Sequence, residues 1–357
     1  MKTIAKKNII LLLMVCLAAL PAFSARQNDF SKTIHKEFHI NKGALLNINT
    51  EFSDIKAINW DKDMISVETI ITVDARKMDM AEEKFHKVDI EILGNETEVS
   101  ITTKLQKNFF KHNNNNNNID IEIIIYYPSH IRLNLESSFG NSIFENIEGP
   151  VEIEMSYGNF DAKELLSNEL NIDMEFGKFE VDRFQAGEAE VSYGGFSADI
   201  VGILNLDSEF STNDIELVDQ LEMSSAYDKV YIGQTGSSSI ESEFSSVKID
   251  KLEKYLQLTT SYGSFKLRDI AKGFDMIQIN SEFTGIHLDF AENSSFAFTV
   301  EAEMSDFDFP KDLAVITYLE KEMFELSIKG YIGDAKGESP KLILDLQNAN
   351  TSIDINK

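Results

Sequence analysis

The stretch LNIDMEFGKFEVDRFQAGEAEVSYG, residues 170–194, decides the fold. Its apolar residues occupy alternate positions up to Phe176, and after Gly177 the alternation resumes one position out of phase at Phe179. A period of two predicts β-strands, and the extra residue predicts a bend or bulge at the glycine. A second aromatic, Tyr193, follows 17 residues after Phe176 with the same surroundings. One unit is therefore a strand, a corner, a strand and a turn.

This unit recurs along the middle of the chain. Its corners carry nine aromatic residues, 17–21 positions apart, in which Phe and Tyr alternate without exception: Phe139, Tyr157, Phe176, Tyr193, Phe210, Tyr227, Phe244, Tyr262 and Phe283. A unit this short has no room for a crossover helix, so successive units are expected to stack as parallel coils. The sequence predicts an all-β fold, a parallel β-helix or β-solenoid with coils of about 17–18 residues.

The residue before each aromatic bears on the coil size. It is Glu before four of the Phe residues, at Glu175, Glu209, Glu243 and Glu282, and Ser or Ala before each Tyr. One unit per coil would separate these charges by a small residue, whereas two units per coil would stack Glu directly on Glu. The pattern favours one unit per coil, with the paired coil as the alternative.

The aromatic stripe has two interpretations. Its phase in the period-two pattern predicts that the rings point inward and fill the corner of each coil as core. The alternative is a sugar-stacking surface, which requires the rings to face solvent.

The sequence pattern predicts four parts of the chain: a leader over residues 1–24, a β-rich region over 25–130, the repeats over 131–290 and a degenerate repeat with a cap over 291–357. The second part repeats the corner signature at Phe52, and its alternation stops between Met78 and Val88, which predicts one short amphipathic helix. Six consecutive asparagines, Asn113 to Asn118, predict a loop tip between two strands.

The last part departs from the regular spacing. The segment around Met304 is similar to a degenerate tenth unit, residues 311–337 are expected to form a long hairpin or a capping excursion, and residues 342–355 are expected to be closing strands. Repeat proteins need atypical ends, so this part is a candidate cap.

The first residues predict export. A positive segment with Lys2, Lys6 and Lys7 precedes an apolar run from Ile9 to about Phe23, too short for a comfortable membrane span. Cleavage is expected after residue 24 or 25. A lipid anchor at Cys16 is not expected, because Val15 stands where a small residue is required. After cleavage no membrane span remains, and the mature chain contains no cysteine for disulfides or thiolate sites.

The chain is strongly acidic, with 33 Lys and Arg against 60 Asp and Glu and a net charge of −27. Loss of the three leader lysines makes the mature balance more negative still. Nucleic acid is therefore excluded as a partner class. Such a charge suits cations, basic peptides or basic surfaces, although a solvated face without a ligand explains it equally simply.

The residues offer no catalytic site, no cofactor site and no metal site. Acidic pairs such as Asp214 and Glu216 are expected by chance in so acidic a chain, and no nucleophile elbow, phosphate loop or dinucleotide motif is present. Of the six histidines only His35 and His39 share a strand face, about 13 Å apart, too far to chelate one ion. A polysaccharide-active β-helix enzyme is the least favoured class.

Residues 35–355 resemble a known family in their order of features. Phe52-Ser53-Asp54-Ile55, the Trp60-Asp61 turn, the helix, the Ser-Tyr-Gly units and the final Asn350 to Ile355 segment are similar to a bacterial family of unknown function called "putative adhesin", and more distantly to head-GIN-domain autotransporter adhesins. The resemblance implies a β-repeat fold outside the cytoplasm and supplies no catalytic residues. This chain differs in placing Phe or Tyr before the glycine and in replacing several of the glycines.

Two functional hypotheses follow. The first is a non-catalytic adhesin or interaction module of the periplasm, cell surface or outer membrane, with an envelope protein or glycan as partner. The alternative is an envelope-stress sensor or sequestering protein that binds cationic peptides through its acidic surface.

Overall fold

The structure, a computed structural model, describes residues 29–106, 119–335 and 340–355. These residues are almost entirely β-strands, with one helix among them, α1 (Met78–Phe85), at the place where the alternation stops. The predicted leader, Cys16 and the asparagine tract lie outside the described residues.

Seven strands, which include three antiparallel pairings, precede the regular units: β1 (Asp29–His39), β2 (Leu45–Glu51), β3 (Asp54–Asn59), β4 (Met64–Asp74), β5 (Val88–Gly94), β6 (Glu98–Leu105) and β7 (Ile119–Tyr127). β2 and β3 form a unit around Phe52, and both pair in parallel with strands on either side. β1 pairs antiparallel with β4, β4 with β7, and β5 with β6. Antiparallel strands therefore cover this end of the stack.

The regular units follow as thirteen strands: β8 (Arg132–Ser138), β9 (Ser142–Ile147), β10 (Val151–Ser156), β11 (Phe160–Leu165), β12 (Leu170–Glu175), β13 (Lys178–Ser192), β14 (Gly195–Glu209), β15 (Thr212–Ala226), β16 (Lys229–Glu243), β17 (Ser246–Ser261), β18 (Ser264–Ile270), β19 (Met276–Glu282) and β20 (Gly285–Phe290). We call the strand segment before each aromatic corner the first arm and the segment after it the second arm. From β13 to β17 the second arm of one unit continues into the first arm of the next as one strand.

Each of these units pairs in parallel with the following unit along both arms. In the first arms Leu170 lies opposite Gly187, and Gly187 opposite Leu204. In the second arms Phe160 lies opposite Phe179, and Phe179 opposite Phe196. One repeat therefore advances the stack by one strand, and equivalent residues form rows across it.

The core lies between the two arms. Four second-arm rings, Phe144, Phe160, Phe179 and Phe196, are at most 1% exposed and stack with centroids 5.3–5.5 Å apart. Full burial of one such side chain contributes about 1.5–3 kcal/mol. This inner row follows directly from the alternation that the sequence shows after each glycine.

The C-terminal strands are not stacked in chain order: β21 (Phe296–Glu303), β22 (Asp306–Asp308), β23 (Ala314–Lys321), β24 (Glu325–Ile332), β25 (Lys341–Gln347) and β26 (Asn350–Ile355). β25 lies between β19 and β21, and β26 lies between β20 and β22. The last two strands thus lie inside the stack instead of closing it. The antiparallel hairpin β23–β24 is outermost, against β21.

The all-β expectation is confirmed, but the sheet as a whole is mixed in direction. Its middle is parallel, and antiparallel strands lie at both ends. Two of the antiparallel pairs, β5–β6 and β23–β24, are hairpins, whose short connections enforce antiparallel pairing.

Candidate interaction surfaces

The corner aromatics lie on the surface, contrary to the expectation that they form core. The nine rings named above are 40–52% exposed. Each of these residues has a positive φ, between 48° and 59°, which is the left-handed region that bulky residues rarely adopt. That conformation turns the ring outward although the preceding residue also points outward, so the period-two phase does not apply at this position.

The exposed rings form one continuous stack, which we call the aromatic ladder. It contains the nine rings and Phe52, with successive centroids 4.7–5.1 Å apart and ring planes within 17° of parallel. This spacing is that of neighbouring strands in a sheet. Ten in-register corners therefore give a strip on the order of 45 Å long.

The geometry of the aromatic ladder limits what it can bind. Each inner ring has both faces covered by its neighbours, so only ring edges and, at every second step, a tyrosine hydroxyl reach the surface. Sugars stack on ring faces. A platform for face-on sugar stacking is therefore not formed along the ladder.

The residue that follows each corner aromatic is glycine in some units and Ser, Asp or Thr in others. Between Tyr193 and Phe244 the corners are linked through buried side chains, because the Gly194 N–H donates to Ser211 Oγ (3.1 Å), the Ser211 N–H to Asp228 Oδ1 (2.6 Å) and the Asp228 N–H to Ser245 Oγ (3.0 Å). In earlier corners a Cβ would come within about 2 Å of the preceding carbonyl oxygen, as at Gly158 and Gly177. Glycine is required there by close backbone approach.

Asp228 is the charged member of this network. It is 6% exposed, and burial, opposed by hydrogen bonds from Ser211 and Ser225, raises the pKa of its carboxyl above the usual range. Ser225 Oγ donates to the second carboxylate oxygen at 2.8 Å. The side chain acts as a structural acceptor within the corner.

The outward side of the first arms, from β8 to β16, is acidic, and we call it the acidic face. Its central row places five carboxylates in successive strands, each opposite the next: Glu136, Glu154, Asp173, Glu190 and Asp207. A neighbouring row alternates Glu and Asn, at Glu152, Asn171, Glu188, Asn205 and Glu222. All ten residues are exposed, and among the outward first-arm positions of these described strands the one Lys or Arg is Arg132, at the start of β8.

This arrangement was not found from the sequence because acidic residues are frequent throughout the chain. The signal was present in the unit spacing, since Asp173, Glu190 and Asp207 are 17 residues apart. Like charges directly opposite each other in adjacent strands are unfavourable. The row therefore costs stability, which a cation or a cationic partner would offset.

The acidic face is shallow. A depression of about 330 Å³ over its middle is lined by polar groups, among them Asp173, Glu188, Glu190 and Asp207. The four glutamates that precede phenylalanines border the aromatic ladder on this side. In register each alternates with Ser or Ala, as in Glu175, Ser192 and Glu209. A broad, open surface of this kind suits an extended partner.

One histidine has neighbours suited to a metal ion. Within the described residues, His287, Asp289 and Asp354 form the one group of three or more His, Cys, Asp or Glu side chains whose ligand atoms come close enough to share an ion, all within 4.8 Å. His35 lies 3.4 Å from Glu37 without a third such partner. The sequence reasoning missed the His287 group because Asp354 belongs to β26, which is distant in the chain.

Comparison with known proteins adds little. No protein-family model matches the chain, and no curated protein matches it, so neither the domain family nor the head-GIN link is shown. Among solved structures that match are a "putative cell adhesion protein" from Clostridium sporogenes (10% identity, 92% of this chain and 100% of that one, TM-score 0.20), a "putative lipid binding protein" from Parabacteroides distasonis (14%, 91% and 97%, 0.31) and a "putative adhesin" from Bacteroides fragilis (10%, 91% and 97%, 0.22). At these TM-scores the likenesses carry no argument.

Among the residues that the structure describes, no helix has both the length and the apolar character needed to cross a membrane.

Proposed function

We propose that the chain is a non-catalytic interaction module, exported to the cell envelope, that holds an extended cationic partner on its acidic face. The observation that carries the proposal is the row of five carboxylates in register, from Glu136 to Asp207, on a face whose one basic residue is Arg132 at the start of β8. A row of this kind presents a negative charge about every 4.8 Å along the stack.

We infer further that the parallel middle of the chain is a β-solenoid with one unit per coil. The pairing of Leu170 with Gly187 and of Gly187 with Leu204 supports this inference, because equivalent residues of consecutive units are direct neighbours. A solenoid explains why a 17-residue sequence repeat produces rows of identical charge. It also gives the binding surface its rigidity, since each unit is fixed by both neighbours.

A cationic polymer or a lysine-rich peptide fits the acidic face in charge and in shape. Several carboxylates of one sign attract such a partner from a distance and accelerate its association. The unfavourable repulsion among the carboxylates is relieved when the partner's cations lie between them. The ring edges of the aromatic ladder lie beside the face, where they can contact the apolar stems of lysine side chains.

The experiment is a binding titration of the mature chain with a fluorescent oligolysine peptide at low salt. The test variant is the triple neutralisation Asp173→Asn, Glu190→Gln and Asp207→Asn in the central row. The matched control neutralises three exposed acids of the helix, Asp79→Asn, Glu82→Gln and Glu83→Gln, which changes the net charge equally. We expect at least a tenfold loss of affinity in the row variant and less than a twofold loss in the control.

Equal losses in the two variants would contradict the proposal, because binding would then follow net charge alone. Salt dependence distinguishes an adhesin from a protein that sequesters cationic peptides, since the screening length shortens to a few ångström at about 0.5 M salt. Release of the envelope partner at that salt favours capture of cationic peptides, and retention favours adhesion through shape and hydrogen bonds. Fractionation of cells producing the tagged full chain tests export.

A further inference from the structure

We propose that His287, Asp289 and Asp354 form a binding site for one divalent transition-metal ion of the zinc class. The three side chains lie on the outer surface of the second arms, where β20 and β26 are neighbours. Register places His287 opposite Ser352 and Asp289 opposite Asp354. The four side chains therefore form a compact square on two adjacent strands.

The distances within the square suit one ion. His287 Nε2 lies 3.0 Å from Asp289 Oδ1, and His287 Nδ1 lies 3.8 Å from Asp354 Oδ2. Zinc bonds to imidazole nitrogen and carboxylate oxygen are about 2.0–2.2 Å long in a tetrahedral site, which sets neighbouring ligand atoms slightly more than 3 Å apart. Asp354 Oδ2 is near Nδ1, the ring nitrogen that also contacts Ser352, so to ligate an ion on Nε2 the Asp354 side chain must rotate toward Asp289 on the neighbouring strand. It is 66% exposed and can rotate without disturbing the core.

The imidazole ring is already held in place. Ser352 Oγ lies 2.7 Å from Nδ1 of His287, and the Asp289 side chain is only 17% exposed. A hydrogen bond to one ring nitrogen orients a ligating histidine and leaves the other nitrogen for the metal. Three protein ligands with an open fourth position for water is a common arrangement for zinc, and the mixture of nitrogen and oxygen ligands favours this class over calcium or magnesium.

The site would join the C-terminal strand to the rest of the stack. β20 and β26 are far apart in the chain, since Ser352 is 65 residues after His287. A metal ion bound between β20 and β26 would add a cross-link where the chain order and the spatial order differ. The ion would then stabilise the folded state by mass action, since the ligands are brought together only on folding.

The test is a titration of the chelator-treated, full-length mature chain with Co²⁺, followed by its visible absorption, and with Zn²⁺ by calorimetry. The test variants are His287→Gln and Asp354→Asn, and the matched control is His35→Gln, because His35 and Glu37 form a similar two-residue pair on a strand. We expect one ion per chain in the wild type and the control. Each test variant is expected to lose at least tenfold in affinity and to lose the rise in melting temperature that Zn²⁺ causes.

Two results would overturn the proposal. The first is wild-type affinity weaker than millimolar, in which case His287 is a histidine paired with two carboxylates and Ser352 without an ion. The second is equal affinity in the wild type and His287→Gln, which would place the ion elsewhere. Far-ultraviolet circular dichroism of each variant establishes that a loss of binding is not a loss of fold, and Asp354→Asn gives a second reading if His287→Gln folds poorly.

Discussion

At position 228 a carboxylate is buried in a corner where other units have glycine, serine or, at Thr284, threonine. Burial raises the pKa of Asp228, so the folded chain binds its proton more readily than the unfolded chain. The associated stability is fully present below the ordinary pKa of 3.8 and is lost as pH rises through the folded pKa. Asp228→Asn keeps an acceptor for the Ser211 N–H and removes the charge. We therefore expect the variant to gain stability relative to the wild type as pH rises from about 4 to 7.

Urea unfolding at a series of pH values measures this difference. Asp228→Asn can also alter the hydrogen bond from Ser225, which would shift the difference in free energy of unfolding between variant and wild type by a constant amount. The change of that difference with pH is therefore the quantity to compare. Asp214→Asn is the control, since Asp214 is exposed on a second arm. A difference that is flat or that shrinks with rising pH would contradict the assignment of a raised pKa.

In the aromatic ladder, the positive φ of each corner residue overrides the period-two alternation of buried and exposed side chains. The alternation predicts the buried residues on both arms, but Tyr227, with φ of 59°, lies outside that alternation. Its ring instead stacks on Phe210 and Phe244, at 4.8 and 4.9 Å. The sequence located this residue by its spacing and could not give its orientation, because period two holds only for extended backbone.

Substitutions at Tyr227 separate stacking from backbone strain. Tyr227→Ala removes two ring contacts worth about 0.5–1.5 kcal/mol each and keeps the left-handed conformation. Tyr227→Gly removes the same contacts and relieves a conformational cost of about 1–2 kcal/mol. We expect the glycine variant to be more stable than the alanine variant, by chemical denaturation. Phe179→Ala, in the inner row, serves as the reference, with a loss of about 3–5 kcal/mol; an equal loss for Tyr227→Ala would show that the ladder ring is packed as core.

At the scale of the strands, β25 joins two parts of the stack that are not consecutive in the chain. Leu344 is fully buried in it, opposite Ile279 on one side and Val300 on the other. Leu344→Ala is expected to cost about 2–5 kcal/mol of local stability. Because each unit of a stack contacts only its neighbours, the loss should be confined to the C-terminal end.

Hydrogen exchange followed by mass spectrometry locates that loss. Exchange should rise in β19, β21, β24, β25 and β26 and stay unchanged in β13 to β15. Leu206→Ala is the matched control, since Leu206 is equally buried in β14, in the middle of the stack. A uniform rise along the whole chain in Leu344→Ala would show that the stack unfolds as one unit and that the insertion of β25 has no local role.

The strands themselves were predictable, whereas their spatial order was not. Alternation located the arms of the regular units, and residues 311–337, expected as a hairpin or a capping excursion, contain the hairpin of β23 and β24. The insertion of β25 and β26 could not be derived, because a parallel row accepts any strand with the same alternation and a residue able to adopt positive φ at the corner. Asn348, with φ of 48°, meets that requirement, as does Met304, with φ of 46°. The candidate metal ligands were missed for the same reason, although His287-x-Asp289 and Ser352-x-Asp354 follow one pattern.

For the molecule as a whole, repulsion between like charges on the acidic face destabilises the folded state. The chain has a net charge of −27, and on the acidic face like charges lie opposite each other in register, so repulsion recurs at each step of the central row from Glu136 to Asp207. Screening reaches about 30 Å at 0.01 M salt and about 3 Å at 1 M. We therefore expect the melting temperature to rise with added sodium chloride over this range, because the salt weakens repulsion that exists only in the folded stack.

Glu190→Gln tests whether that repulsion arises from the row itself. Glu190 lies directly between Asp173 and Asp207, so its neutralisation removes two like-charge contacts, each worth about 0.2–1 kcal/mol. Glu164→Gln changes the net charge by the same amount, but Glu164 lies opposite Arg183 and Asn146. At 0.01 M salt Glu190→Gln should stabilise the chain and Glu164→Gln should not, and in 1 M salt the two variants should converge. An equal gain from both variants would mean that stability follows total charge, and that the in-register row of the acidic face has no separate effect on stability.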